Sequence, residues 1–450
     1  MRHNLNTRIL RTFEIVLAIL SALIAFTIAF APSWASAVVD IQLFLYLAII
    51  ALNFFRVRAF NLYQVWLVSY IFIVWAEMCI IADRGAISYS YVVPFIRYSL
   101  ANACVLVGYH AYNKSRAAGG RHFIVNSRWF ALILLMLTVF FLYTRIPAAI
   151  SSFSGGRLLG VTKGSGSLTR TLITAMGLLL PSLIAYYLKI VRKRSTLFCL
   201  IFVLPIFAVQ LLLTTRYKFL FSVLPFLIIT DILNIRFKGK KHFLLLALVL
   251  VAMVVMSTFV KNNRTLGLAQ ASETSIFAAD NETDSQRLTV KLASHMSPEG
   301  VVRMARMADR YFADHPLRWG KETGFLLYFW FPRSLWPDKP TQLDYWLIRE
   351  YLPTLPETYS SSSGFIGELR ADFGWGCLLF IFLFGLLLRR VDDYCVAVFS
   401  KGNVSFDMVL ASILYPWVFF FVRSPVTSTI SLLWEILIYY VLYFLFRRKQ

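Results

Sequence analysis

Long apolar blocks recur along the whole chain, and they decide what it can fold into. Each runs about 15–22 residues with few charges, roughly what a helix needs to cross a hydrocarbon core of about 30 Å. The blocks fall near residues 12–31, 38–55, 62–81, 91–112, 129–144, 171–188, 197–213, 217–233, 243–260, 374–388, 406–422 and 427–446. Hydrophobic residues make up 58% of the 450, and the mean hydropathy is +0.66. A soluble chain sits near 45–50% apolar. One soluble core cannot bury so much apolar surface, whereas helices facing lipid satisfy their own backbone and leave apolar side chains outside. The expected fold class is therefore an all-α polytopic integral membrane protein, with about twelve transmembrane helices and one large extracytoplasmic loop.

Lysine and arginine in the short connections set the orientation. With the N-terminus inside, the inner segments hold Arg2, Arg8 and Arg11; Arg56 and Arg58; Lys114, Arg116, Arg121 and Arg128. Further along come Lys189, Arg192, Lys193 and Arg194; Arg236, Lys238, Lys240 and Lys241; Arg389, Arg390 and Lys401; and Arg447, Arg448 and Lys449. Together they make up about half of the 45 basic residues, and most short outer loops carry none or one. The outer loop 145–170 breaks the rule with Arg145, Arg157, Lys163 and Arg170. This bias predicts two cytoplasmic termini. By alternation, 261–373 is outside. The expected organisation is nine spans in 1–260, a large periplasmic loop over 261–373 and three spans in 374–450.

The net charge of +22 follows from those inner segments. A nucleic-acid binder would show a basic stripe with interleaved aromatics on a soluble segment, and this chain has none. Of the five cysteines, Cys79, Cys104 and Cys199 lie inside apolar blocks, Cys377 lies near the start of one, and Cys395 follows it. None falls in the large loop, so no disulfide framework is expected. The first block is too long for a signal peptide's apolar region. Ala35-Ser36-Ala37 is a weak cleavage candidate, and the block reads as a retained helix.

Inside the large loop, Val301, Met304, Ala305, Ala308, Tyr311 and Phe312 recur at helical spacing, with Arg303, Arg306 and Arg310 off that stripe. This predicts an amphipathic helix, lying on the membrane surface or packed on the bundle. Charges also occur at membrane depth: Glu77, Arg97, Asp231 and Glu435. Such charges are costly and are paired or functional, and Arg97 with Glu77 is the candidate interhelical pair. Arg216, in Thr214-Thr215-Arg216-Tyr217-Lys218, and Arg423 stand at tight outer turns.

The richest segment runs from Gly320 to Gly376. Its first half ends in Phe331-Pro332-Arg333-Ser334-Leu335-Trp336-Pro337-Asp338-Lys339-Pro340. Three prolines so close together exclude a regular helix and impose a stiff turn carrying Arg333 and Lys339. Trp330 and Trp336 suit the headgroup level. Two cations on a rigid loop at the membrane surface either grip a lipid-linked phosphate, which arginine does in a bidentate fork, or anchor the loop to anionic headgroups. The second half is Gly364-Phe365-Ile366-Gly367-Glu368-Leu369-Arg370-Ala371-Asp372-Phe373-Gly374.

These two halves, their order and their place before a late span resemble the Wzy-type polymerases of O-antigen and other bacterial polysaccharides. That family shows Pro-Arg-Ser-x-Trp-Pro-x-Lys-Pro after an aromatic stretch, then Gly-x-x-Gly-Glu-x-x-x-x-Phe-Gly. The motif covers some sixty residues, and the hydropathy profile of the rest also fits. One departure is Arg370-Ala371-Asp372, where the family more often carries aromatic and Asn residues.

The resemblance implies a GT-C-like glycosyltransferase of the bacterial inner membrane. It would transfer a growing chain from undecaprenyl pyrophosphate to a new lipid-linked repeat unit. It implies Arg216 and Arg333 on the pyrophosphate with Lys339 assisting, and Glu368 orienting or deprotonating the acceptor hydroxyl. Trp336, Arg423 and Arg145 are further substrate-binding candidates; Arg145 stands ten residues before Gly156, a weak spacing pattern. The implied partners are the lipid-linked donor and acceptor, the bilayer, and a chain-length regulator and flippase of the same pathway. Neither a Gly-x-x-x-x-Gly-Lys loop nor an Asp-x-Asp motif is present, and His295 and His315 lack a third ligand at metal spacing, so no cofactor or metal is expected. An O-antigen ligase, with the same chemistry on a lipid A-core acceptor, is the alternative. A flippase or other transporter is the rival of a different class, against which stand the large loop and the lack of repeats.

Overall fold

The computed structural model describes residues 2–57, 61–83, 89–112, 128–155, 167–212, 216–230, 287–296, 300–331, 335–351, 353, 362–400 and 405–447. The regular elements among them are helices. In chain order they are α1 (Arg2–Phe30), α2 (Ala35–Val57), α3 (Leu62–Tyr70), α4 (Ala76–Asp83), α5 (Tyr89–Ala111), α6 (Arg128–Gly155), α7 (Ser167–Ala185), α8 (Thr196–Leu212) and α9 (Arg216–Ile229). Then come α10 (Leu288–Met296), α11 (Val301–Asp314), α12 (Phe325–Tyr328), α13 (Leu343–Tyr351), α14 (Gly364–Phe373), α15 (Cys377–Ser400), α16 (Asp407–Arg423) and α17 (Pro425–Phe446). A π turn, Ile71–Trp75, joins α3 to α4, and a single 3-10 turn joins α14 to α15.

Among the described residues, eight stretches are long and apolar enough to cross a membrane: Ile9–Phe30, Pro32–Phe54, Leu62–Asp83, Tyr91–Ala111, Arg128–Ile150, Leu172–Val191, Gly364–Phe399 and Pro425–Phe446. The chain is thus an α-helical multi-pass membrane protein. Each of the eight coincides with an expected block. Three more blocks are helical but shorter, in α8, α9 and α16. The block at 243–260 and Asp231 lie outside the described residues. Two boundaries differ from expectation. Arg145 was placed in an outer loop, yet α6 continues through it to Gly155. The helical stretch that holds the late span begins at Gly364, ten residues before the expected 374, because α14 joins α15 through one 3-10 turn. Arg370 and Asp372 interrupt the hydropathy there, but both are paired, as described below.

The chain divides into two compact units that are not contiguous in sequence. The first comprises Met1–Ser115, Ala279–Asp392 and Val418–Ser428; the second comprises Arg116–Ala278, Asp393–Trp417 and Thr429–Gln450. The expected borders at 260 and 373 follow the run of spans, and the compact units cut across them.

In the second unit α6 packs on α7 and α8, and α7 on α9. Phe406 stacks on Tyr439 at 4.5 Å, and the Tyr439 hydroxyl donates to Asp407 at 2.9 Å. In the first unit α1, α2 and α5 pack together. α5 meets α15 backbone to backbone: a Cβ on Gly108 would stand 2.3 Å from the Phe382 carbonyl oxygen, so only glycine allows the approach. Asn61 and Gln64 form a capping box that starts α3. Asp392 adds to it, accepting from the Leu62 amide at 2.9 Å and from the Tyr109 hydroxyl at 2.6 Å.

The amphipathic helix of the loop is α11, and the structure settles its placement. Val301, Met304, Ala305, Ala308 and Phe312 are buried as the stripe predicts, with α11 packed on α5 and α14. With Leu343, Leu347, Ile348 and Ala371 the far side of the stripe forms a core belonging to the loop itself. Gly300 precedes α11 at φ +77°, and no side chain of its own turn caps the helix. The cap comes from α4. Glu77 accepts from the Val302 amide at 2.8 Å and the Arg303 amide at 3.1 Å. The amides at a helix start lack partners within the helix, and a carboxylate there also meets the positive end of the helix dipole.

Glu77 therefore does not pair with Arg97, contrary to expectation. Arg97 instead forms an ion pair with Asp309 on α11, and its guanidinium lies 4.5 Å from the centre of the Trp375 ring. Arg370 reaches the same Asp309 oxygen at 3.3 Å. Both membrane-depth charges are satisfied by one helix more than two hundred residues away in sequence.

Candidate functional site

The Gly364–Gly374 half of the motif is the head of the span Gly364–Phe399, and its residues lock three other elements to that head. Gly364 sits at φ +66°. A Cβ there would lie 2.4 Å from Val301 Cγ1, 2.9 Å from the Tyr98 hydroxyl and 3.3 Å from the Val422 carbonyl. α5, α11 and α16 thus converge on a point that only glycine can occupy. Just before it, the Ser363 amide and hydroxyl donate to Asp344 at 2.9 and 2.7 Å, and the Ser362 hydroxyl donates to the Arg423 carbonyl.

Glu368 is buried, and its Oε2 accepts from the Val426 amide at 3.2 Å, in the first turn of α17. Chemically this is the Glu77 arrangement again: a carboxylate from one helix caps another. Asp372 accepts from the Glu322 and Thr323 amides at 3.0 and 2.7 Å and from the Thr323 hydroxyl at 2.7 Å. Glu322 in turn accepts from the Leu343 amide at 2.8 Å, the first residue of α13. Asp372 and Glu322 therefore tie the two halves of the motif together.

Burial pushes Glu322 up to about 8, partly offset by the Arg318 guanidinium 3.5 Å away. Burial also raises Asp344, against the pull of the Ser363 bonds and the Arg423 charge. Both carboxyls resist ionising because water is excluded from them.

In the first half of the motif, the described residues on either side of the prolines pack on one another. Pro332, Arg333 and Ser334 lie outside the described residues. Around them, the Lys339 ammonium donates to the carbonyls of Phe329 and Phe331 at 2.8 and 3.0 Å and lies 5.1 Å from the centre of the Phe325 ring. Lys339 is buried and bridges back to the segment that ends at Phe331. Trp336 is partly exposed, with its ring edge-on to Tyr328 at 5.4 Å. The Tyr328 hydroxyl donates to the Lys321 carbonyl.

The structure thus brings Glu368, the Arg423 turn, Lys339 and Trp336 into one unit, linked through Asp372, Glu322, Asp344 and Ser362–Ser363. Arg423 has its guanidinium 5.3 Å from the centre of the Phe420 ring. Arg145 and Arg216 belong to the other unit. Arg145 donates to the Thr174 hydroxyl at 3.0 Å. Arg216 opens α9, and its side chain lies outside the described residues. Among the described residues no three His, Cys, Asp or Glu side chains converge to hold a metal ion.

Sequence reading missed Asp309, Glu322 and Asp344. Each is an ordinary acid in a polar loop, and only the fold shows which amide or guanidinium it meets. Asp309 did carry a signal: it lies one position past Ala308 on a helix whose buried face was already legible.

Set against known protein families, curated proteins and solved structures, the chain matches none of them.

Proposed function

We propose that this membrane protein is a glycosyltransferase that polymerises oligosaccharide repeat units carried on undecaprenyl pyrophosphate, in the bacterial inner membrane with both termini cytoplasmic. One observation supports the reading: Glu322 and Leu343, which flank the proline stretch in sequence, are tied through Asp372 to the Gly364–Gly374 helix at the head of a span. The leaving group in this chemistry is a diphosphate at the membrane surface, and fixed cations stabilise its departing charge. Arg333 and Arg216 are the cations that the resemblance assigns to the diphosphate. Lys339 assists, held on the Phe329 and Phe331 carbonyls. Glu368 acts as a positioning residue, since it holds the α17 start beside the Arg423 turn.

In the proposed step the acceptor hydroxyl attacks the anomeric carbon of the donor sugar. The carbon–oxygen bond to the pyrophosphate breaks, undecaprenyl pyrophosphate leaves with the bonding electron pair, and the hydroxyl proton passes to that departing pyrophosphate.

The test is direct. Purified protein in detergent, given only the lipid-pyrophosphate-linked unit, makes a ladder of longer chains. Arg333→Ala and Arg216→Ala each abolish the ladder, and Arg333→Lys restores little because lysine lacks the bidentate fork. A ligase stays idle until lipid A-core is added. A transporter changes no covalent bond in either tube. No ladder from folded protein and the correct unit overturns the reading.

A further inference from the structure

We propose that the lobe formed by residues 316–331 and 335–340 is immersed in the lipid–water interface, with Trp319, Leu327, Trp330, Phe331, Leu335 and Trp336 seated among the headgroups and upper acyl chains. These six side chains are exposed, Leu327 at 79% and Leu335 at 76%. Exposed apolar groups concentrated in one short stretch mark an interaction surface. The loop does not lack a core to hide them in. α11 and α13 bury their apolar residues against Ala371, and neither they nor the residues between Pro337 and Tyr351 leave a large hydrophobic side chain exposed.

Nor is the lobe a frayed end. Lys339 closes it on two carbonyls, Tyr328 closes it on Lys321, and Trp336 packs on Tyr328. Its apolar side chains are held outward by a built scaffold.

Its attachment fixes the depth. The Arg318 amide donates to the Ala371 carbonyl at 2.8 Å, and the Glu322 and Thr323 amides donate to Asp372. Both acceptors stand at the end of α14, just before Trp375, Leu379 and Phe380, which are exposed on the span itself. Phe373 stacks on Phe380 at 4.1 Å. From Thr323 to Leu327 is four residues, mostly helical, so Leu327 lies about 6 Å of helix rise from that anchor. The exposed lobe is therefore tethered within a few residues of the exposed apolar side chains that open α15. Tryptophans at that level, with leucines beside them, match the composition of a membrane interface. A sugar-stacking platform offers aromatic faces and has no use for two bare leucines.

The experiment uses the full-length chain with its five cysteines replaced, in vesicles of phosphatidylethanolamine and phosphatidylglycerol. An environment-sensitive NBD label is placed singly at Leu327→Cys, Leu335→Cys or Trp336→Cys. Controls are Asp314→Cys and Glu350→Cys, at exposed acidic positions outside the lobe. Spin-labelled lipids should quench the three lobe labels severalfold more than the controls, while aqueous iodide should quench the controls more. Lobe labels that behave like the controls overturn the proposal and leave the lobe facing water or sugar. Iodide shielding that appears only at high protein-to-lipid ratio, without quenching by lipid, overturns it in favour of a second copy of the chain. Three lobe sites keep the test decisive if one variant fails to fold. The result does not depend on the polymerase reading, because the ladder assay and the quenching can fail separately.

Discussion

The spans Leu62–Asp83 and Arg128–Ile150 have nearly the same mean hydropathy, 2.1 and 2.0, yet 89% of the first is buried within the protein and only 17% of the second. Hydropathy reports that a helix can live in a membrane, and says nothing of which neighbour it faces. The polar atoms make the difference. In Leu62–Asp83 they reach across to other helices: Trp66 donates to Asn102 and Trp75 to the Val39 carbonyl, both at 2.9 Å, and Glu77 caps α11. In Arg128–Ile150, Thr138 and Thr144 donate to carbonyls of their own helix, and near its end Arg145 reaches the Thr174 hydroxyl of α7. A polar group satisfied locally leaves its helix free to face lipid, whereas one that needs a distant partner commits its helix to the interior.

The largest effect should come from removing the acid on which two arginines converge. Asp309→Leu leaves Arg97 buried without its carboxylate, and breaking a buried pair this way costs about 3–5 kcal/mol. Thermal unfolding in detergent should show it, with early proteolysis of the 287–373 region. A loss below 1 kcal/mol would mean that the inner side of the comparison rests on apolar packing alone. Glu77→Leu comes next. It strands two amides at the start of α11 and should cost about 2 kcal/mol. Exchange of the Val302 and Arg303 amides should accelerate before that of the rest of α11. Uniform acceleration would instead make the cap inseparable from global unfolding.

A pH series extends the comparison to the loop. In the unfolded chain Glu322 ionises near the usual value of about 4.5; folded, it holds its proton up to about 8. Between those values the folded state binds the extra proton. Its stabilising effect is complete below about 4.5 and is lost as the pH rises to about 8. The melting temperature should fall by a few degrees across that range, and Glu322→Gln should flatten the fall. An equally steep fall in the variant would place the titration elsewhere. The smallest effect belongs to the lipid-facing side: Leu135→Ala, at a site 58% exposed, should change stability by no more than about 0.5 kcal/mol. A loss of 2 kcal/mol or more would show that this face is covered in the membrane.

The apolar blocks and the buried stripe of α11 were legible because both are periodic, and period is a property of the sequence alone. The pairing of Glu77 and Arg97 was misread for a matching reason. Hydropathy placed both charges at membrane depth on neighbouring spans, and nothing local pointed to acceptors and donors beyond residue 300. The motif glycines were legible as landmarks, but not as contacts. That Gly364 must be glycine depends on Val301, Tyr98 and Val422 arriving together. Glu368 was read as chemistry because the surrounding pattern resembles an enzyme family. Its hydrogen bond to Val426 gives it a job in holding a helix start, which no spacing rule would disclose.

The shared dependence of α4 and α5 on α11 sets an order of events during synthesis. Asp309 follows Arg97 by 212 residues, and the Val302 amide follows Glu77 by 225. At about 5–20 residues per second, the ribosome needs roughly 10–45 s to supply those partners. Through that interval both charges sit in newly inserted helices with their final partners not yet made. A Glu77–Arg97 contact is then the nearest way to lower the cost of two lone charges, which makes the pairing expected from sequence a candidate for the nascent chain. Arrival of α11 would exchange that temporary contact for the final ones, so completion of the early membrane helices waits on a segment translated long after them.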